Sequence, residues 1–209
     1  MTIEVKLPLN MRVKLPRQSP ARGSACGILA KKKKKSYAIF AAGIFCQQGG
    51  CMRYSLKDEF ILAFCRLGVA GLSPKAPGTC GTALACLLAP FLFGPLDYLW
   101  RCIILVVLFV LGGFAATRAE RLLHQKDPGQ VVIDELVGVW LVILPFVKPG
   151  FWVISSAFVL FRVFDIIKPW PVSASENWLP NGFGVMIDDV MAGILALPFM
   201  GLLYWTGIF

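Results

Sequence analysis

The run Ile187-Asp188-Asp189-Val190-Met191-Ala192-Gly193-Ile194-Leu195 sets two adjacent carboxylates at the mouth of an apolar stretch, Val190–Phe209. Ile133-Asp134-Glu135-Leu136-Val137-Gly138 repeats the pattern near the start of the apolar stretch Val131–Val147. A carboxylate within a membrane helix costs about 2.5–3.5 kcal/mol on insertion scales, so such acids are not retained for packing alone. In each run a small residue follows an acid by about one helical turn: Gly138 after Asp134, Ala192 and Gly193 after Asp188 and Asp189. Small residues at that spacing let membrane helices approach closely. Two such helices side by side bring four carboxylates within reach of one another. Like charges that close require a cation.

The rest of the chain is built to match. Thr79–Phe93, Tyr98–Thr117 and Phe151–Ile167 are further apolar stretches, separated by breakers such as Gly94-Pro95 and Lys148-Pro149-Gly150. Several lie near the lower limit for a membrane span, about 17 residues. Of the 209 residues 57% are hydrophobic and 16% charged, and mean hydropathy is +0.69. A soluble domain carries about 45–50% apolar and about 25% charged residues. The composition therefore excludes intrinsic disorder and argues against a soluble globular enzyme. It points to an all-α integral membrane bundle of four to five short spans, with Glu59–Leu72 as an additional interfacial or partly inserted helix.

The formal net charge of +9 sits entirely in residues 1–35, which hold ten Lys/Arg against Glu4. The remainder balances to zero. The expected division is a basic leader, residues 1–51, and a membrane-embedded body, residues 52–209. The leader reads in three ways: a disordered arm drawn to anionic headgroups, a poor signal peptide, or sequence upstream of a natural start at Met52. No interleaved aromatics or groove-reading element accompany Lys31–Lys35, so no nucleic-acid partner is expected. Threading the body through a bilayer puts Arg66, Lys75, Arg118, Arg121, Lys126, Arg162 and Lys168 on one side, against Arg101 and Lys148 on the other. The positive-inside rule makes the richer side cytoplasmic, and Asp134, Glu135, Asp165, Asp188 and Asp189 share it.

Two more constellations accompany the acid pairs. In Phe161-Arg162-Val163-Phe164-Asp165-Ile166-Ile167-Lys168-Pro169-Trp170-Pro171, the residues Arg162, Asp165 and Lys168 recur every three positions and share one broad helix face. Simple dipole and snorkelling roles would suit these cations, and so would phosphate binding. Gly71-Leu72-Ser73-Pro74-Lys75-Ala76-Pro77-Gly78-Thr79-Cys80-Gly81-Thr82 is a turn-rich loop running into an apolar helix. It is either an ordinary turn with its cap or an anion cradle of backbone N–H groups, hydroxyls and Lys75. Asn181-Gly182-Phe183-Gly184 reads as a flexible turn or lid. Oxygen-only acids suit Mg²⁺ completed by substrate phosphate. Seven cysteines without CxxC spacing and the single His124 provide no usual zinc set.

In that order, GLSPKAPGTCGT, DPGQVVIDELVG, FRVFDIIKPWP and GFGVMIDDVMAG resemble the phosphatidylglycerophosphatase A family of bacterial membrane lipid phosphatases. The resemblance runs from about Leu56 to the C-terminus. It implies Mg²⁺-dependent hydrolysis of phosphatidylglycerophosphate to phosphatidylglycerol and phosphate at the cytoplasmic face of the inner membrane. On this reading Asp134, Glu135, Asp188 and Asp189 hold Mg²⁺ and activate water, with Asp165 and Lys168 completing the catalytic set. Lys75, Gly78, Thr79, Gly81, Thr82 and Arg162 bind the substrate phosphate. Asp127 lies in a matching run but also fits a simple turn before Pro128. The competing reading is a small transporter or cation channel, since intramembrane acids also mark ion paths. Sidedness discriminates, because a path needs polar groups through the full depth. Oligomeric state is not fixed by the sequence.

Overall fold

Apolar runs bounded by proline, glycine and charge fold as helices here, and their ends fall where the breakers do. A computed structural model describes residues 55–207 with their side chains, and the backbone of four short strands between residues 2 and 53. The chain divides into two units, Met1–Tyr54 and Ser55–Phe209. In the first, β1 (Thr2–Lys6) pairs antiparallel with β2 (Arg12–Pro16), and β3 (Ile44–Gln47) with β4 (Gly50–Arg53). The rest of the basic leader, Lys31–Lys35 included, lies outside the described residues.

Among the described residues of the second unit every regular element is helical. These are α1 (Leu56–Cys65), a 3₁₀ turn (Ala70–Leu72), α2 (Pro77–Leu88), a π turn (Ala89–Phe93), α3 (Tyr98–Leu123), α4 (Ile133–Ile143), α5 (Phe151–Ile167), α6 (Val172–Ser175) and α7 (Gly182–Trp205). By length and composition α3 and α7 can each cross a membrane, and Pro77–Phe93 is a shorter apolar helix. The fold is thus an all-α, membrane-associated bundle.

Its centre is α4. Every residue from Val131 to Trp140 is buried, and α7 packs on α3, α4 and α5. The outer face of α3 carries exposed Val106, Val107, Val110, Leu111 and Phe114, the pattern of a helix that meets lipid rather than water.

Several boundaries differ from the sequence expectation. Pro77 starts α2 two residues early, because proline is suited to the first helical position, where no N–H bond is lost. Helix α3 continues past Thr117 to Leu123, since Arg118, Glu120 and Arg121 are good helix formers and end the apolar stretch without ending the helix. The largest difference is at Asn181-Gly182-Phe183-Gly184, read as a loose turn or lid. Gly182 to Gly184 form the opening of α7. The Gly182 N–H donates to Thr117 Oγ1 at 3.1 Å, and a Cβ at Gly184 would collide with the Glu176 carbonyl. These glycines permit backbone contact. Asp188 and Asp189 consequently lie inside α7 rather than at its start.

At the far end from the acids, Arg101 is 2% exposed. Its Nε donates to Leu96 O at 2.8 Å, Nη2 to Gly94 O at 2.5 Å, and Nη1 to Phe146 O at 2.6 Å and Leu144 O at 3.4 Å. The guanidinium also lies 5.6 Å from the Phe93 ring centroid, and Phe93 stacks on Trp140 at 4.9 Å. One side chain therefore binds the loops after α2 and after α4.

The α4–α7 contact is close. A Cβ at Gly193 would stand 2.7 Å from Gly138 O, and one at Gly138 would stand 2.8 Å from Asp189 O and overlap the Phe161 ring. Gly201, on the same helix, faces open space. Gly138→Ala should destabilise the purified protein by about 1–3 kcal/mol, the usual scale of overpacking. Gly201→Ala should leave the thermal unfolding midpoint in detergent unchanged or raised. Equal midpoints for the two variants would contradict this packing.

Candidate active site

Helix contact at Gly138 and Gly193 brings the two acid pairs together at one end of the bundle. Asp134 and Glu135 lie in the first turn of α4, and Asp188 and Asp189 follow the opening turn of α7. All four are nearly sequestered, Asp134 5%, Glu135 9%, Asp188 4% and Asp189 5% exposed. Asp189 is close enough to Asp134, Asp165, Glu135 and Asp188 for their charges to act on it. Asp134 likewise feels Glu135, Asp127 and Asp165. Buried charges persist only when paired, hydrogen-bonded or bound to metal.

Two cations from the end of α5 meet part of this charge. Arg162 Nη1 donates to Glu135 Oε1 at 3.2 Å and to Asp165 Oδ2 at 2.6 Å. Lys168 Nζ donates to Asp188 Oδ2. Lys168 is the residue at which α5 stops, in the left-handed region at φ 46°, and Pro169 prevents the helix from resuming. Burial alone would lower the Lys168 pKa. The hydrogen bond to Asp188 and the charges of Asp188, Asp189 and Asp165 outweigh it and push it above the ordinary value, so the ammonium is kept.

The start of α2 closes the site from another side. Thr82 Oγ1 lies 2.9 Å from Glu135 Oε2 and 3.0 Å from Gly78 O, and its hydroxyl can donate to either. A Cβ on Gly78 would run into Glu135 Oε1 and approach Arg162 Nη1 to 3.2 Å, and one on Gly81 would approach Glu135 Oε2 to 3.0 Å. These glycines let a helix backbone lie directly against a carboxylate.

Pairing is incomplete, and its gaps have opposite sign. Arg162 Nε and Asp188 Oδ1 are buried with no hydrogen-bond partner among the described residues. Asp134 Oδ1 accepts from the Glu135 N–H at 2.9 Å, and among the described residues no cationic side chain bonds to Asp134 or Asp189. A buried donor on a cation and a buried acceptor on an acid each call for an explanation. Among the described residues no three His, Cys, Asp or Glu side chains form a ready-made metal cage. The donor chemistry still fits a hard divalent cation: opposed, buried carboxylate oxygens, one without a partner.

The residues singled out from sequence separate into two groups. Asp134, Glu135, Arg162, Asp165, Lys168, Asp188, Asp189, Gly78, Gly81 and Thr82 converge. Lys75 and Thr79 are exposed, and neither takes part in the hydrogen bonds and ion pairs of the cluster. Sequence reading did not foresee that Thr82 would face Glu135, nor that Arg66, 4% exposed, would bond Gln130 Oε1 at 2.6 Å. The latter contact joins the end of α1 to the segment leading into Asp134, helped by Val132 N–H to Cys65 O at 2.8 Å. A lone arginine in an apolar helix was the available signal.

An apolar helical bundle with buried carboxylates and half-buried cations at one end defines a membrane-associated protein with a polar site. Residues 63–204 match the family model described as Phosphatidylglycerophosphatase A, and the chain belongs to that family. It is 40% identical over 142 residues to a protein of Bacteroides thetaiotaomicron named putative phosphatidylinositol-3-phosphatase, covering 66% of this chain and 89% of that one. It is 36% identical over 137 residues to phosphatidylglycerophosphatase A of Haemophilus influenzae, covering 65% and 84% of the two chains. The phosphatidylglycerophosphatase A of Escherichia coli K12 is 31% identical over 140 residues, covering 66% and 78%. No solved structure matches the chain.

The Arg162 pairs can be tested without a substrate. Removing one partner of a buried ion pair costs about 3–5 kcal/mol, because the other charge is stranded. Arg162→Met should therefore lower the unfolding midpoint sharply. Adding Glu135→Gln should recover part of the loss, with Asp165 accounting for the remainder. A double variant no more stable than Arg162→Met would argue against the Glu135 contact.

Proposed function

We propose that this chain hydrolyses the terminal phosphate monoester of phosphatidylglycerophosphate, giving phosphatidylglycerol and inorganic phosphate, with Mg²⁺ as cofactor. Family membership supports the phosphatase activity and the phospholipid substrate. One structural observation carries the chemistry: among the described residues, the buried Arg162 Nε donor and the buried Asp188 Oδ1 acceptor have no partner. A phosphate satisfies the first and a divalent cation the second.

In this reading Asp134, Asp188 and Asp189 hold the metal, which when bound supplies charge neutralisation and a more acidic water. Arg162 turns Nε to the phosphate, while Glu135 and Asp165 fix its orientation through Nη1. Lys168 adds positive charge where the phosphoryl oxygens gather, as stabilisation of a developing negative charge requires. Glu135 is held by Thr82 and Arg162 beside the start of α2. In this role it accepts a proton from the attacking water or orients it. Lys75, Gly78, Thr79 and Gly81 line the approach.

The lipid's acyl chains remain in the bilayer and its headgroup reaches the rim, so the reacting phosphate and the buried charges meet at one depth. The same sidedness disfavours the transporter reading. Arg101, the buried charge at the opposite end, turns its donors onto backbone carbonyls of the neighbouring loops. The basic excess at the site end supports a multi-pass protein of the bacterial inner membrane whose site faces the cytoplasm.

Purified protein in detergent should release phosphate from phosphatidylglycerophosphate with Mg²⁺ and stop when the metal is chelated. Asp134→Asn and Asp189→Asn should each lower kcat by about 100-fold or more, the scale of losing a positioned acid–base or electrostatic group, with unchanged insertion. No release by the wild type with or without metal would sink the enzyme reading. The 40% identity to the Bacteroides relative named a putative phosphatidylinositol-3-phosphatase makes phosphatidylinositol 3-phosphate the second substrate to assay. A faster rate there would move the headgroup and keep the chemistry.

A further inference from the structure

The acids of α4 and α7 meet the molecular surface through their neighbours. Every residue of α4 from Ile133 to Trp140 is buried, and α7 presents no exposed residue from Gly182 to Gly193. The start of α2 covers Glu135 with Gly78, which has no side chain, and with Gly81 and Thr82, which are buried. Helix α5 differs. Its Arg162 and Asp165 are half-buried, and so is Lys168 just beyond its end. The Lys168 side chain is 35% exposed, where the Asp188 side chain it bonds is 6% exposed. The polar site therefore reaches the surface along the last turns of α5.

That part of the surface is apolar. Val159 and Ile166 stand three positions before and four after Arg162, spacings that make them its neighbours on the helix surface. Val163 stands four after Val159 and three before Ile166. All three are exposed, as is Ile167. The stripe ends at Lys168, and exposed Trp170 follows it, a side chain of the kind that settles at headgroup depth. From Ser156 to Ile166 the helix rises about 15 Å at 1.5 Å per residue. That is one leaflet of a hydrocarbon core about 30 Å thick. The outer face of α3 is apolar and exposed too, but none of the converging site residues lies on that helix.

We propose that the stripe Val159, Val163, Ile166 and Ile167 is the track for an acyl chain of the substrate lipid, which enters the site sideways from the bilayer past Arg162. The assignment rests on the phosphomonoesterase reading above. Charge complementarity selects the occupant. A phospholipid ending in a phosphate monoester brings its anion to Arg162 and Lys168 while its hydrocarbon covers the stripe beneath them. A zwitterionic bulk lipid cancels its own charge and has no comparable hold on the two cations. The arrangement also explains why the cations are carried on α5: the helix that takes the phosphate is the helix that guides the chain.

The test compares long-chain phosphatidylglycerophosphate in mixed micelles with its water-soluble dibutyryl analogue, which has the same headgroup and no chain long enough to follow α5. Val159→Trp and Val163→Trp put bulk on the track. Each should lower kcat/KM on the long-chain lipid by about 10-fold or more, since misplacement by about 1 Å can cost about 100-fold. On the dibutyryl lipid both should stay within about twofold of wild type, with unchanged unfolding midpoints. Val107→Trp, on the outer face of α3, should alter neither substrate. Equal losses on both lipids, or none on the long-chain one, would overturn the track. A second measurement needs no turnover. A phosphatidylglycerophosphate with a photoreactive acyl chain, added to the Asp189→Asn variant, should label the 159–167 segment. Excess unlabelled phosphatidylglycerophosphate should displace that label and phosphatidylcholine should not. Labelling that neither lipid displaces, or that falls equally on α3, would mean bulk lipid or a second copy of the chain on this face and would also overturn it. A wild type inert on both substrates would remove the phosphatase reading, and displaceable labelling would then still place the lipid on α5.

Discussion

Placing several carboxylates between two packed helices is the constraint on which the rest of this structure depends. Their mutual repulsion is strongest where they are driest, so the α4–α7 interface must be stabilised elsewhere. Gly138 and Gly193 supply part of that by letting backbones touch, and the apolar length of α7 supplies more. The charge is answered locally by Arg162 and Lys168, both carried at the end of α5. The answer is partial. Replacing such a network with apolar side chains would often be neutral or stabilising, so the acids are better explained by chemistry than by stability.

Arg162 illustrates how a fixed cation differs from a merely present one. One terminal nitrogen is shared between Glu135 and Asp165, and that leaves the guanidinium plane little freedom. Its planar fork presents further donors in set directions, which a lysine could not do. Lys168 plays the complementary part, a point charge on a flexible stem at a helix end, where a cation is also favoured by the helix dipole. Family membership makes the chain a phosphatase, and the proposed function assigns the phosphate to this arrangement.

Much of the site was legible because its parts recur in short, local patterns. Asp134 with Gly138 and Asp188 with Ala192 and Gly193 already announce two acidic helices that can pack closely, and Arg162, Asp165 and Lys168 announce a shared face. What could not be read were contacts across long sequence separations. Thr82 looked like a cap or phosphate ligand, yet it faces Glu135, 53 positions away. Glycines at 182 and 184 carried a turn signal, but their use is contact of α7 with α3 and with the Glu176 carbonyl. Local composition specifies that a backbone approach is permitted; only the partner decides whether the segment is a loop or a helix.

Arg101 shows why the opposite end matters as much as the site. Helix α4 has 11 residues, about 16 Å of length at 1.5 Å per residue, against a hydrocarbon thickness of about 30 Å. It is too short to cross a bilayer unaided, and a multi-pass arrangement would put irregular backbone at membrane depth beyond its end. Such backbone is tolerated only where its polar groups are satisfied within the protein. The carbonyls of Gly94, Leu96, Leu144 and Phe146 all accept from the Arg101 guanidinium, while Phe93 and Trp140 stack beneath it. A short central helix lets the acids of α4 sit inside the bundle rather than beyond it. The buried arginine satisfies the irregular backbone that a helix this short leaves beyond its end.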